Sequence, residues 1–180
     1  MSSGVESYLV RDGASGMYVA NTAMLSEEDV LAAAEEILLR RLERGQQFNT
    51  IDAFIEYLKV RLSTRSSEVF AVLFLDSSLR MLAYEELFFG SITMAVVHPR
   101  EVVRRCLHHN AAAVVIAHNH PSGDSTPSDA DKKLTASLQA TLLTMEVRIV
   151  DHIVVGKTCT SFLASGLLGK PRSRARSSRR

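Results

Sequence analysis

Residues 69–75 read VFAVLFL, and residues 111–117 read AAAVVIA. Each is a short, continuous apolar segment bounded by polar or turn-forming residues, which is typical of a β-strand buried on both faces. Elsewhere, as in residues 30–38, the apolar residues recur at helical spacing. Strands that alternate with helices predict an α/β fold in which helices pack on a mixed β-sheet.

Further helices and strands are predicted on either side of these two strands. Ser26 and Asp29 match a capping box, which starts a first helix. Gly45 ends that helix, and a second helix follows Asn49. Residues 1–24 show no clear period and are interpreted as an arm. The remaining predicted elements are strands over 79–89, 92–97 and 148–155, a helix from Pro99 with Val102, Val103, Cys106 and Leu107 inward, and a helix from Ser128 with Leu134, Leu138, Thr141 and Leu142 inward.

Composition excludes several classes of protein. The chain has 180 residues, of which 46% are hydrophobic and 23% charged, as in a soluble globular domain. No apolar segment approaches the ~20 residues that span a bilayer, and the N-terminus does not resemble a secretory signal. Cys106 and Cys159 form no CxxC pair, and nothing indicates an oxidising compartment, although one disulfide between them stays open. We therefore predict a cytoplasmic protein with no membrane partner.

The net charge of +1 is unevenly distributed. The last eleven residues, KPRSRARSSRR, hold six basic residues and no acidic one, which leaves the rest of the chain with 15 basic and 20 acidic residues. Such a segment is predicted to be disordered. It is interpreted either as a solubilising or vector-derived tail or as a weak, sequence-independent contact with nucleic-acid phosphates.

The segment HNHPSGDSTPSDAD, residues 118–131, carries the candidate chemistry. His118 and His120 follow the apolar strand two residues apart, so in extended chain their side chains point to the same side. Asp131 comes eleven residues after His120, in the first turn of the predicted helix. Two imidazoles and one carboxylate would give zinc three protein ligands and leave the fourth position for water, which is the catalytic arrangement.

Each part of this segment also has an explanation without a metal. His-x-His is common on surfaces, Ser128 and Asp131 form a good capping box, and residues 120–123 suit a turn. Together, directly after a buried strand, these features favour a site.

Longer segments resemble a known family. The His118-x-His120 pair with Asp131 resembles the JAMM (MPN-plus) metalloprotease signature. The segments HPRE (98–101), NAAAVVIAHNHPSG (110–123), PSDAD (127–131) and DHIVVG (151–156) are similar to the bacterial RadC family of JAMM-domain proteins, over about residues 48–165. The resemblance implies a curved mixed β-sheet packed between helices, related to the cytidine deaminase architecture, and one zinc ion held by His118, His120 and Asp131.

The resemblance also implies a domain organisation. Residues 1–47 are expected to form an N-terminal arm and helix, 48–168 the JAMM domain, and 169–180 a disordered basic tail. RadC proteins usually carry a helix-hairpin-helix segment that binds the DNA backbone, and we find no such hairpin here. We therefore expect a short form, to which the family's traditional link with DNA repair transfers poorly.

Catalytic residues are implied in the same way. The family places its general base, a glutamate, at the edge of the first core strand, and Glu68 holds that place. Glu85 and Glu86, which lie shortly before Gly90, are the alternative candidates for the general base. Ser128 matches the family serine that hydrogen-bonds the oxyanion. The remaining polar candidates stay open: Asp151 and His152 either orient the ligands or form a buried polar pair, and His108 and His109 are given no role.

The predicted function is hydrolysis of a peptide or isopeptide bond in an unidentified peptide or protein substrate, with zinc as the cofactor. The alternative is a non-catalytic or DNA-associated module. A zinc deaminase is disfavoured, because that chemistry uses His-x-Glu followed by Pro-Cys-x-x-Cys, and neither motif occurs here.

Overall fold

A computed structural model describes residues 9–11, 18–20, 24, 26–31, 33–34, 47–90 and 97–169. The chain divides into two compact units, Met1–Glu43 and Arg44–Arg180. In the first unit, strand β1 (Leu9–Arg11) pairs antiparallel with β2 (Tyr18–Ala20), two elements that we did not predict in the arm. The predicted capping box is present, since the Asp29 amide donates to Ser26 Oγ at 3.1 Å and the Ser26 amide to the Asp29 carboxylate at 2.9 Å. The predicted helix end at Gly45 lies outside the described residues.

The second unit contains a five-stranded mixed sheet with helices, which confirms the predicted α/β class. Its strands lie in the order β4-β3-β5-β6-β7, with β5 and β6 parallel and every other neighbouring pair antiparallel. The elements are α1 (Ile51–Leu62), β3 (Val69–Leu75), β4 (Met81–Phe89), α2 (Pro99–His108), β5 (Ala113–Asn119), α3 (Asp129–Leu143), β6 (Arg148–Val155) and β7 (Cys159–Ser161). Of the predicted strand 92–97 only Val97 is described, and it is not in a strand; of the predicted tail 169–180 only Gly169 is described.

The sheet lies between helices, which is why β3 and β5 are apolar apart from His118 and Asn119 at the end of β5. Every residue of β3 and β5 is buried. On one face, alternate residues of β3 and β5 pack against α2 and α3, among them Phe70, Val72, Phe74, Val114, Ile116, Val102, Cys106, Leu138 and Leu142. Helix α1 lies against β5, β6 and β7, and it covers the other face, toward which the intervening side chains of these strands point.

The prediction for one helix residue was wrong. Leu107 is 58% exposed, whereas Val102 and Cys106 are fully buried. The inward stripe of α2 continues instead to His109, whose ring centroid lies 4.7 Å from that of Phe74. This is the spacing of a helix face, because residues three and four apart share a side.

No described helix is both long and apolar enough to cross a membrane.

Candidate metal centre

Strand β5 carries the first imidazole into the sheet. The strand begins and ends two residues later than predicted, because His118 still pairs with Phe70 on one side and Val154 on the other. His118 is consequently fully buried. His120 follows the strand end, where its amide donates to the Val155 carbonyl at 2.8 Å. The two imidazoles face each other as their spacing predicted, with their Nε2 atoms 3.0 Å apart.

The helix that follows presents the carboxylate. Asp131 is the third residue of α3 and is 1% exposed. Its Oδ1 lies 3.3 Å from His118 Nε2, and its Oδ2 lies 3.9 Å from His120 Nε2. Burial alone would raise the pKa of this carboxyl, but the contact with His118 and the hydrogen bonds from Ser128 outweigh it and lower the pKa below its usual value. Asp131 is therefore an anion that faces both imidazoles.

These three groups fit the geometry of a tetrahedral metal site. At zinc–ligand distances of 2.0–2.1 Å, tetrahedral ligand atoms lie about 3.3 Å from one another. The distances of 3.0 and 3.3 Å are close to that value, whereas the 3.9 Å distance runs from the other oxygen of Asp131 and is longer. The donor set of two imidazole nitrogens and one carboxylate is compatible with a bound metal ion and leaves a coordination position for water.

The predicted general base lies at the same place. A carboxylate oxygen of Glu68 and one ring nitrogen each of His118 and His120 all lie within 4.8 Å of one another. The rival glutamates are engaged elsewhere on β4. Glu85 pairs with Arg105 of α2 and with His109, which follows that helix, and Glu86 accepts a hydrogen bond from Arg65 at 2.8 Å. Of these three glutamates, Glu68 alone belongs to a cluster of potential metal ligands among the described residues.

Asn119 holds the segment that carries Glu68, and sequence reasoning missed it. Its Oδ1 accepts a hydrogen bond from the Val69 amide at 2.8 Å, and its Nδ2 donates to the carbonyls of Ser67 (3.0 Å) and Arg65 (3.3 Å). The side chain is nearly fully buried. The residues on both sides of Glu68 are thus fixed to the strand that carries His118.

We expect Asn119→Asp to disturb Glu68 more than the metal ligands. The carboxylate lacks the two N–H donors and would face two carbonyl oxygens, which costs about 1–3 kcal/mol for buried groups left unpaired. The variant should melt at a lower temperature and lose turnover while keeping most of its zinc. Melting, hydrolysis and metal content should be measured beside Asn49→Asp, the same change at an exposed position. Full activity in Asn119→Asp would show that these hydrogen bonds do not position the base.

A chain of hydrogen bonds links His118 to the helix that carries Asp131. His118 Nδ1 lies 2.9 Å from His152 Nε2, His152 Nδ1 lies 2.6 Å from Thr135 Oγ1, and Thr135 donates to the Asp131 carbonyl at 2.6 Å. Burial, followed by the neighbouring His118, lowers the pKa of His152 well below 6.5, so His152 is neutral. With the proton of His118 on Nδ1 and that of His152 on Nδ1, every contact in the chain has one donor. This arrangement leaves His118 Nε2 free to bind a metal.

The two residues of the predicted Asp151–His152 pair separate in the structure. Asp151 turns away from His118, and its carboxylate accepts hydrogen bonds from the His152 amide (2.7 Å), the Leu163 amide (2.9 Å) and the Ser161 hydroxyl. Burial raises the pKa of Asp151, and these hydrogen bonds only partly offset that effect. Asp151 anchors the chain that follows β7, whereas His152 contacts a candidate ligand.

Ser128 is occupied by Asp131. Its hydroxyl donates to Asp131 Oδ2 at 2.7 Å and accepts from the Asp131 amide at 3.2 Å. A hydroxyl has a single proton to donate. In this structure Ser128 therefore orients the carboxylate. To make the predicted oxyanion contact, the Ser128 hydroxyl would have to break its hydrogen bond to Asp131 and donate to the oxyanion instead.

Comparison with known proteins places this geometry in a family. Residues 48–167 match the family described as "RadC-like JAB domain". The chain belongs to the RadC family. A UPF0758 protein of Vibrio cholerae serotype O1 is 50% identical over 142 residues, which cover 79% of this chain and 90% of that protein. A UPF0758 protein of Verminephrobacter eiseniae is 52% identical over 126 residues, which cover 70% of this chain but only 53% of that protein.

The loop that follows His120 in this RadC-like domain is fixed to the turn between β6 and β7. His120 Nδ1 lies 2.7 Å from the Asp124 carbonyl, and the Lys157 amide donates to the Gly123 carbonyl at 2.8 Å. The turn contains Gly156, where an added Cβ would lie 2.4 Å from the Gly123 oxygen. Glycine at 156 therefore allows the two backbones to approach, and this contact orients the His120 ring.

Gly156→Ala should destabilise the RadC-like domain by about 1–3 kcal/mol, because the overlap is with backbone atoms that cannot rotate away. The displaced loop should also weaken metal binding roughly 10- to 100-fold through the lost hydrogen bond to His120. Thermal unfolding and zinc titration would measure both effects. Gly169→Ala is the matched control, since its added Cβ would meet nothing nearer than 3.5 Å. Equal behaviour of the two variants would contradict this account of the loop.

Proposed function

We propose that this RadC-family chain is a zinc-dependent hydrolase of the JAMM type that cleaves a peptide or isopeptide bond in the cytoplasm. The observation that carries the proposal is the convergence of His118 Nε2, His120 Nε2 and the Asp131 carboxylate, with Glu68 beside them. The donor set favours zinc, because two imidazoles and one carboxylate with an open position are typical of catalytic zinc sites.

His118, His120 and Asp131 would hold the zinc ion. When bound there, zinc would lower the pKa of a water from its very high free value toward about 7 and polarise the scissile carbonyl. His152 Nε2 lies 2.9 Å from His118 Nδ1 and would accept a proton from it, and Ser128 keeps the Asp131 carboxylate turned toward the imidazoles. Both contacts reduce the rearrangement that metal binding requires.

Glu68 is assigned the proton transfers. Its carboxylate lies close enough to the imidazole nitrogens to accept a proton from the attacking water, directly or through one further water. The same group then passes the proton to the leaving amine. Because Glu68 is half-buried at the strand edge, it borders the cleft and is not enclosed in the core.

The proposal is tested with the full chain and a panel of peptides and lysine-linked isopeptides, with release of new amines as the readout. Cleavage should occur with zinc, stop after chelation and return when zinc is added back. Activity that persists without metal would contradict the zinc mechanism. If the zinc-loaded protein cleaves no member of a broad panel, the hydrolase proposal fails.

A DNA-associated, non-catalytic role linked to DNA repair is the second candidate. Its support is the basic segment 170–180, which lies outside the described residues, whereas acidic residues slightly outnumber basic ones between residues 47 and 169. If the segment binds DNA, the affinity for duplexes of any sequence should fall steeply with salt and disappear when 170–180 is deleted. Fluorescence anisotropy with two unrelated duplexes measures this. Binding that survives the deletion would place the contact in the domain itself.

A further inference from the structure

A pocket of about 340 Å³ opens directly beside the candidate metal centre. His120 and the loop residues 121–123 form one wall, the C-terminal end of α1 forms another, and the turn between β6 and β7 closes the third side. Three cationic residues line this pocket: Lys59, Arg65 and Lys157. The lining contains no acidic side chain among the described residues.

Two of these cations are not neutralised. Arg65 pairs with Glu86 at 2.8 Å. Lys59 and Lys157 form no ion pair within the ranges that the structure describes. The stem of Lys157 is held in place against Gly123, since a Cβ built on that glycine would lie 3.0–3.4 Å from its Cγ, Cδ and Cε atoms. Like charges gathered in a concave site raise the local concentration of an anion.

We propose that this pocket binds an acidic side chain of a peptide substrate next to the scissile bond. The inference rests on the proposed function and names its substrate class, because the pocket shares His120 with the metal centre. An acidic residue seated here would lie beside the bond that Glu68 and the metal ligands act on. Neutral and basic residues would leave the two lysines without a counter-ion.

The charge distribution favours one acidic side chain over a nucleic-acid strand. A backbone of phosphates requires a stripe of cations that follows it. Outside the pocket, Arg104 pairs with Glu101, Arg105 with Glu85, and Lys132 with Asp129. Arg80, Arg100, Lys133 and Arg148 also form no ion pair among the described residues, but none of them lines the pocket. The pocket itself offers two unpaired lysines, which suits one acidic side chain.

The test measures binding separately from hydrolysis. The ¹⁵N-labelled full chain, loaded with zinc, is titrated with N-acetyl-Ala-Glu-Ala-Ala-amide and with the Gln counterpart, and the amide signals of Gly123, Gly156 and Lys157 are followed. The Glu peptide should bind about five- to tenfold more tightly, as expected for one or two exposed ion pairs. The preference should disappear in Lys59→Gln/Lys157→Gln and persist in Lys133→Gln, an exposed lysine of α3 that does not line the pocket.

The outcomes separate the two proposals. Equal affinity for the two peptides overturns the acidic subsite, even if the protein hydrolyses peptides. A preference that survives the double substitution also overturns it. A preference for Glu in a protein that cleaves nothing supports the pocket and removes the hydrolase. If single-stranded DNA shifts the same signals at lower concentrations than the Glu peptide does, the pocket is a nucleic-acid contact and the peptide assignment is wrong.

Discussion

Glu68→Gln should keep its zinc and its fold and lose about 100- to 10,000-fold of its hydrolytic rate, the usual contribution of a general base. The amide has nearly the shape of the carboxylate but cannot take the proton from the attacking water. The fold should tolerate the change, because Glu68 is only half-buried at a strand edge. Its 2.8 Å hydrogen bond with the Gly90 amide is made by the Glu68 backbone carbonyl, which the substitution leaves in place. Initial rates, metal content and melting temperature are measured on the same samples.

The rival glutamates are the controls for this prediction. Glu85→Gln removes the ion pair with Arg105, and Glu86→Gln removes the one with Arg65. Each of these pairs is partly exposed, so its loss should change stability by about 1 kcal/mol or less and leave the rate within a few-fold. If Glu85→Gln or Glu86→Gln is inactive while Glu68→Gln remains active, the general base has been assigned to the wrong strand.

The parts of the fold predicted from sequence are those that a local pattern specifies. The predicted strands 69–75 and 148–155 have the bounds observed. For 69–75 the reason is that a continuous apolar segment of this length fits a sheet covered on both faces. The side-by-side placement of His118 and His120 follows from their two-residue spacing in extended chain. The capping box of Ser128 and Asp131 was likewise visible in four consecutive residues.

The parts that were missed depend on contacts between distant residues. Asn119 holds residues fifty or more positions away, and nothing in its neighbours distinguishes it from a loop asparagine. The link from His118 to His152 joins strands that are parallel neighbours only because of the sheet order. Strand β5 continues past its predicted end, because His118 pairs with residues of β3 and β6. A buried histidine is tolerated there only because the tertiary fold brings other polar side chains next to it. The inward face of α2 leads to the partly buried His109, which follows the helix, and omits Leu107, because helix geometry decided the inward position over hydropathy.

His120→Ala should abolish stoichiometric zinc binding while leaving a folded protein. The wild-type chain should hold about one zinc, and zinc at about 1,000 times its Kd should stabilise it by ~4 kcal/mol. For a chain of 180 residues, that free energy corresponds to a rise in Tm of roughly 10 °C. His120 is the better ligand to remove, because its side chain is 20% exposed and lies at the strand end, whereas His118 is fully buried and its loss would leave a cavity in the sheet.

Three further variants identify the cause of any loss. His118→Ala should also lose zinc, and Asp131→Asn should bind it more weakly because it removes an anionic ligand and the hydrogen bonds that Ser128 makes to it. His108→Ala changes an exposed imidazole of α2 and should keep both the metal and the zinc-dependent rise in Tm. Metal analysis after dialysis and melting with and without zinc give the two readouts. If His120→Ala and His118→Ala retain as much zinc as the wild type, the metal lies elsewhere in the chain; if only His120→Ala retains it, His118 and Asp131 bind the metal without the second imidazole, and the three-ligand site is wrong.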